Sequence, residues 1–185
     1  RVGGNVTNAA FVGFSGGTFT GRAVMTFTVT GDFGATSPNV TGEAKINLLT
    51  AGAMSITGVN RGLISVDRDI TSLTMGSAER ANIRAGGNIS AVNSGAWTQV
   101  VLSARDTVGA VAVNGNFNES SIVAGTDLGT DAFFGGTGTA ADISSTGFIT
   151  SVTITGNFTR SNITAGYNRG TDAFFGTSDD LIAAG

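Results

Sequence analysis

Val111 to Gly135 reads VAVNGNFNESSIVAGTDLGTDAFFG, and Val152 to Gly176 reads VTITGNFTRSNITAGYNRGTDAFFG. The two stretches align without a gap at an offset of 41 residues, with 15 of 25 paired positions identical. Self-similarity at a fixed period marks a chain built from stacked supersecondary units. Weaker copies lie upstream. Phe27-Thr28-Val29-Thr30-Gly31-Asp32-Phe33 resembles Val152 to Phe158, and Asn82-Ile83-Arg84-Ala85-Gly86 matches Asn162 to Gly166.

A shorter period runs inside the long one. Aliphatic pairs spaced by three recur at Ile70/Leu73, Ile89/Val92, Val108/Val111 and Ile149/Val152. Their steps are 19, 19 and 41 residues, and glycines recur at similar steps. This spacing predicts coils of about 20 residues, two to each 41-residue unit, in an all-β parallel β-solenoid. In such a fold inward aliphatics from successive coils stack into one core. Gly, Asn and Asp, which tolerate positive φ, serve the corners. Thr suits the outward, solvated positions. Eight or nine coils would make a rod of roughly 40 Å. No segment carries a capped 3.6-residue apolar stripe, so no helix of consequence is expected. A β-sandwich is the rival, since it also uses short strands and frequent turns, but it does not predict a period of 41 residues. The inward set is predicted as Val111, Val113, Ile122, Val152, Ile154 and Ile163.

Composition narrows the function. The chain has 185 residues, enough for a single β domain with a real core. It is 41% hydrophobic and 12% charged, with 29 glycines and one proline, Pro38. Folded β structure rather than disorder follows, because disordered chains are rich in charge and proline. Cysteine and histidine are absent, which removes disulfides, thiolate and His-based chemistry and the usual zinc sites. With net charge −3 and a single lysine, Lys45, there is no basic face for a phosphate backbone, so nucleic acid is not an expected partner. No apolar run reaches the roughly 20 residues of a membrane helix. The start at Arg1 suggests a mature product or fragment with its leader removed, and the Thr/Asn/Gly-rich, Cys-free, Lys-poor composition suggests an exported microbial protein. No catalytic motif stands out, so the chain is not read as an enzyme.

The segments ITSVTITGN (149–157), SNITAG (161–166) and GTDAFFGTSDD (170–180) resemble repeats of large secreted bacterial surface proteins with parallel β-helix folds. The resemblance covers roughly residues 70–185 and implies an extracellular structural or adhesive role. Residues 1–21 fit no alignable repeat and are expected to cap the rod or join subunits, with residues 22–185 forming the solenoid.

Three sets of residues are candidate sites. Asp127, Asp131, Asp172, Asp179 and Asp180 lie beside glycines, with Asn168 as the counterpart of Asp127. Oxygens so spaced can converge on Ca2+, which takes six to eight of them. Neither loop follows the EF-hand or nonapeptide calcium pattern, and the same residues also suit Asx-turns at corners. Phe133-Phe134 and Phe174-Phe175 would each place one ring inward and one outward on a strand, unless both pack under a folded loop. Arg80 and Arg84, with Glu79, would share a strand face able to grip an anionic sugar; the plainer reading is a solvated surface cluster. Asn-x-Ser/Thr sequons at Asn5, Asn39, Asn88, Asn118, Asn157 and Asn162 matter only where the source glycosylates exported proteins.

The leading expectation is a secreted structural subunit that self-assembles end to end into a filament, tube or surface layer. A solenoid leaves unpaired strand edges at both ends. Here neither the Phe-rich start nor the ending Leu181-Ile182-Ala183-Ala184-Gly185 supplies a polar cap. A calcium-stabilised adhesin and a polysaccharide-active β-helix enzyme are the alternatives.

Overall fold

The computed structural model describes residues 4–35, 44–168 and 181–182. Its strands in chain order are β1 (Asn5–Phe11), β2 (Gly17–Val29), β3 (Ala44–Asn60), β4 (Leu63–Val66), β5 (Ile70–Glu79), β6 (Asn82–Ala85) and β7 (Ile89–Ser94). There follow β8 (Trp97–Thr98), β9 (Val101–Ala104), β10 (Thr107–Val113), β11 (Phe117–Asn118), β12 (Ser121–Ala124), β13 (Thr126–Asp127) and β14 (Ile143–Ser144). The last are β15 (Phe148–Ile154), β16 (Phe158–Thr159), β17 (Asn162–Ala165), β18 (Tyr167–Asn168) and β19 (Leu181–Ile182). A three-residue 3-10 turn, Gly138–Ala140, is the one helical element among the described residues.

All pairings in the main sheet are parallel, as a coil that always turns the same way requires. The protein is a parallel β-solenoid. One face stacks β1, β2, β3, β5, β7, β10 and β15. A second stacks the first halves of β2 and β3 with β4, β6, β9, β12 and β17. A narrow third face joins the end of β5 to β8, β11 and β16.

The aliphatic register read from the sequence is the register of the ladder. Val6, Val24, Ala51, Ile70, Ile89, Val108 and Ile149 form one inward column. Ala9, Phe27, Met54, Leu73, Val92, Val111 and Val152 form the next. On the second face the column is Phe19, Ile46, Ile64, Ile83, Leu102, Ile122 and Ile163. Seven rungs at roughly 4.8 Å give a described height of roughly 29 Å. Residues 5–11, which align with no repeat by sequence, occupy the first of these rungs in register with β2.

Two expectations are corrected. The 41-residue unit is one coil, not two. Val111 pairs directly with Val152, so β15 lies on β10 with nothing between them. The extra length is a single excursion, residues 125–147, at a corner that the preceding coil turns with residues 105–106 alone. The chain leaves at Gly125 (φ +87°) and returns at Gly147, where their backbones touch so closely that a Cβ on Gly147 would lie 2.0 Å from Gly125 N. Gly166 (φ +63°) holds the same place one coil later, and there β18 pairs antiparallel with β19 as β13 does with β14.

The second correction concerns the core. Val111, Val113 and Ile122 are buried, but Val152 and Ile154 are half-buried and Ile163 is 39% exposed. All three point inward, and their strands are the last rung of the described sheet, paired on one side only.

A further column shows how aromatic residues are used. Phe14, Phe33, Asn60, Ala78, Trp97, Phe117 and Phe158 succeed one another along the third face. Phe117 and Phe158 stack at 5.4 Å with an interplanar angle of 7°. Asn60, buried within this column, is tied by Nδ2 to Met75 Sδ and by Oδ1 to the Gly62 N–H. The adjoining corner is turned in the left-handed region by Arg80, Gln99, Glu119 and Arg160 (φ +46° to +56°), not by the Gly, Asn or Asp expected there. Gln99 Nε2 donates to Glu119 Oε2 at 2.9 Å, and Arg160 pairs with the same carboxylate, so side-chain bonds run along the corner column.

Candidate functional site

The 125–147 excursion folds back over the outer surface of the second face, across earlier coils. Outward positions there run Ser65, Arg84, Ser103 and Val123. A solenoid's outward row normally faces water, yet all four are buried, as is every residue from Ile122 to Gly129. Arg84 Nε donates to Asp127 Oδ1 at 2.6 Å and Nη2 to Oδ2 at 3.0 Å, a bidentate pair whose side chains are only 7% and 8% exposed. Arg84 Nη1 donates to Asp67 Oδ1 at 2.8 Å and Ser65 Oγ at 3.1 Å. The Ser103 hydroxyl donates to the Thr126 carbonyl. Burial opposes charge on the Arg84 guanidinium, but the hydrogen bonds it donates to Asp127 and Asp67 outweigh that and raise its pKa.

Arg84 is therefore not part of a solvated cluster, and it does not share a strand face with Arg80. Arg80 turns the corner between β5 and β6, which separates the two guanidiniums. Glu79 pairs instead with Arg80 and with Arg61, and Arg61 also holds Asp32 at 3.0 Å.

The calcium candidates are dispersed. Both oxygens of Asp127 accept from Arg84, and Oδ1 also accepts the Gly129 N–H at 3.1 Å. Asp131 Oδ1 accepts the Phe133 N–H at 3.2 Å, an Asx-turn. Asp172, Asp179 and Asp180 lie outside the described residues, as do Phe174 and Phe175. Among the described residues no three or more His, Cys, Asp or Glu side chains gather as metal ligands. Of the sequons, Asn39 also falls outside, and the Asn88 side chain is bonded to Asp69.

Phe133 and Phe134 sit in a turn rather than on a strand, so strand alternation does not govern them. Phe133 is 51% exposed and Phe134 is partly buried. The tip of the excursion stands between two grooves. One of about 320 Å³ is lined by Thr20, Asn47, Ser65, Asp67 and Thr130 among others. The other, of about 220 Å³, runs beside Phe133, Arg61, Arg80, Asn82 and Gln99. Neither groove was legible in the sequence, because each needs the excursion laid over earlier coils.

The fold thus defines a parallel β-solenoid with a clamped excursion on one flank. Comparison with protein-family models, curated proteins and solved structures returns no match.

Proposed function

We propose that the protein is a secreted structural subunit that assembles head to tail, coil upon coil, into an extracellular filament, tube or surface layer. The observation that carries this reading is the match between the two ends of the described coils. The inward columns reach both ends and terminate there in apolar side chains, most of them large. Ile149 ends the column that Val6 begins, Ile154 the column that Phe11 begins, Phe158 that of Phe14, and Ile163 that of Phe19. On the last rung Phe148 is 63% and Phe158 50% exposed. The edges of β15 and β17 carry backbone groups able to template another strand. A second copy placed with its first rung on this last rung would continue every column in register. Such a heterologous contact does not close on itself, so it grows. The extracellular setting rests on the Thr/Asn-rich composition and the near absence of lysine.

The test is sedimentation and electron microscopy of the intact chain at micromolar concentration. Filaments are expected, and a small fraction of Phe158→Asp protein should shorten them, because it can join through its first rung but cannot accept a successor. A wild-type chain that stays monomeric would defeat the proposal.

A further inference from the structure

Phe133 is a large ring held half in water by a built turn. Ala132, just before it, is fully buried and adopts φ +57°, a conformation costly for any residue with a Cβ. Asp131 fixes the Phe133 amide. Strain of this kind persists where the surroundings over-determine it, often at ligand clamps. The same seven residues, GTDAFFG, occur without change at 129–135 and 170–176.

The ring stands at the wall of the 220 Å³ groove. Arg61, Arg80, Asn82 and Gln99 line the same groove. Arg61 is pre-oriented, with Nε on Glu79 Oε2 and Nη1 on Asp32 Oδ2, both at 3.0 Å. Those bonds use two of the five N–H groups of a guanidinium. The two arginines are balanced by Asp32 and Glu79, so the groove carries no net charge to attract an anion. An aromatic face beside planar donors and acceptors suits a ring with an apolar C–H face and hydroxyls around its rim. The volume admits about one such ring, below the usual range for drug-sized ligands. A nucleotide is disfavoured by the balanced charge and by the chain's net charge of −3.

We infer that the groove between Phe133 and the Arg61–Arg80–Gln99 corner is a binding site for a neutral saccharide, one pyranose ring stacking on Phe133. A filament subunit with such a site on its flank would present it repeatedly along the polymer.

The experiment uses the intact chain on an immobilised panel of neutral, sialylated and uronate-containing oligosaccharides, followed by calorimetry with the best-bound neutral one. Neutral glycans are expected to bind. Phe133→Ala should weaken binding about tenfold and leave the thermal midpoint unchanged, while Phe133→Trp retains binding. Phe174→Ala serves as the control for the copied motif. The inference is overturned by no binding of any neutral glycan, by binding of charged glycans alone, by equal binding of Phe133→Ala and wild type, or by binding lost only in Phe174→Ala.

Discussion

Arg84 and Asp127, 43 residues apart in the chain, form a bidentate ion pair beneath the excursion, at 2.6 and 3.0 Å. The pair fastens residues 125–147 to a coil two rungs below the one they leave. Removing one partner strands a buried charge, a loss of about 3–5 kcal/mol. Asp127→Leu should therefore lower stability by that order in denaturant titration and speed proteolysis within residues 130–140. Arg84→Met combined with Asp127→Leu should recover much of the loss, because two apolar groups leave no unpaired buried charge, and Asp67, the other partner of Arg84, is exposed to water. A double variant as unstable as the single one would mean that the pair contributes more than its charges.

Ile122 and Ile163 share a column but not a fate. Ile122→Ala should cost about 2–5 kcal/mol, as for a buried aliphatic with neighbours on both sides. Ile163→Ala should cost clearly less in the monomer, since that side chain is 39% exposed. If head-to-tail assembly covers Ile163, its substitution should raise the concentration needed for polymer far more than it lowers the monomer's thermal midpoint.

Ser94 interrupts an otherwise apolar column between Met75 and Val113, and its buried hydroxyl has no hydrogen-bond partner. An unsatisfied buried hydroxyl costs about 1–3 kcal/mol. Ser94→Ala should raise stability by about 1 kcal/mol in denaturant titration. A fall in stability would point to a buried water bonded at this site.

Asp32 accepts the Val59 N–H at 2.9 Å and pairs with Arg61, and these bonds lower its pKa below the ordinary aspartate value, the backbone bond being the largest cause. The folded pKa lies below the unfolded one, so the contribution is present above the unfolded pKa of about 3.9 and is lost as pH falls through the folded value. Asp32→Asn should be less stable than wild type at neutral pH, and the difference should close below about pH 4. Thermal melts across pH 2–7 (a range set by about two units either side of that pKa) would show it. A difference independent of pH would assign the effect to packing instead.

The coil register was legible in the sequence. Ile70/Leu73, Ile89/Val92 and Val108/Val111 each occupy the same two columns, because in a solenoid the spacing of inward side chains along the chain is the length of the coil. That information is local, and one sequence suffices for it. The number of coils in the 41-residue unit was not legible. Ile122, Leu128 and Phe133 within that unit look like strand residues, and nothing local separates a second coil from an excursion. Only the direct pairing of Val111 with Val152 decides it, and that is a contact between distant strands. Arg84 was misread for the same reason. Its place on the outward row of a strand is a local property, and outward rows meet water unless something crosses them. Its burial depends on the path of residues 125–147 across the flank, where hydrogen bonds to the buried Asp127 and Ser65 and to the exposed Asp67 outweigh solvation of the guanidinium. The groove beside Phe133 shares that origin, since its walls come from three coils and the excursion, and tertiary packing alone brings them together.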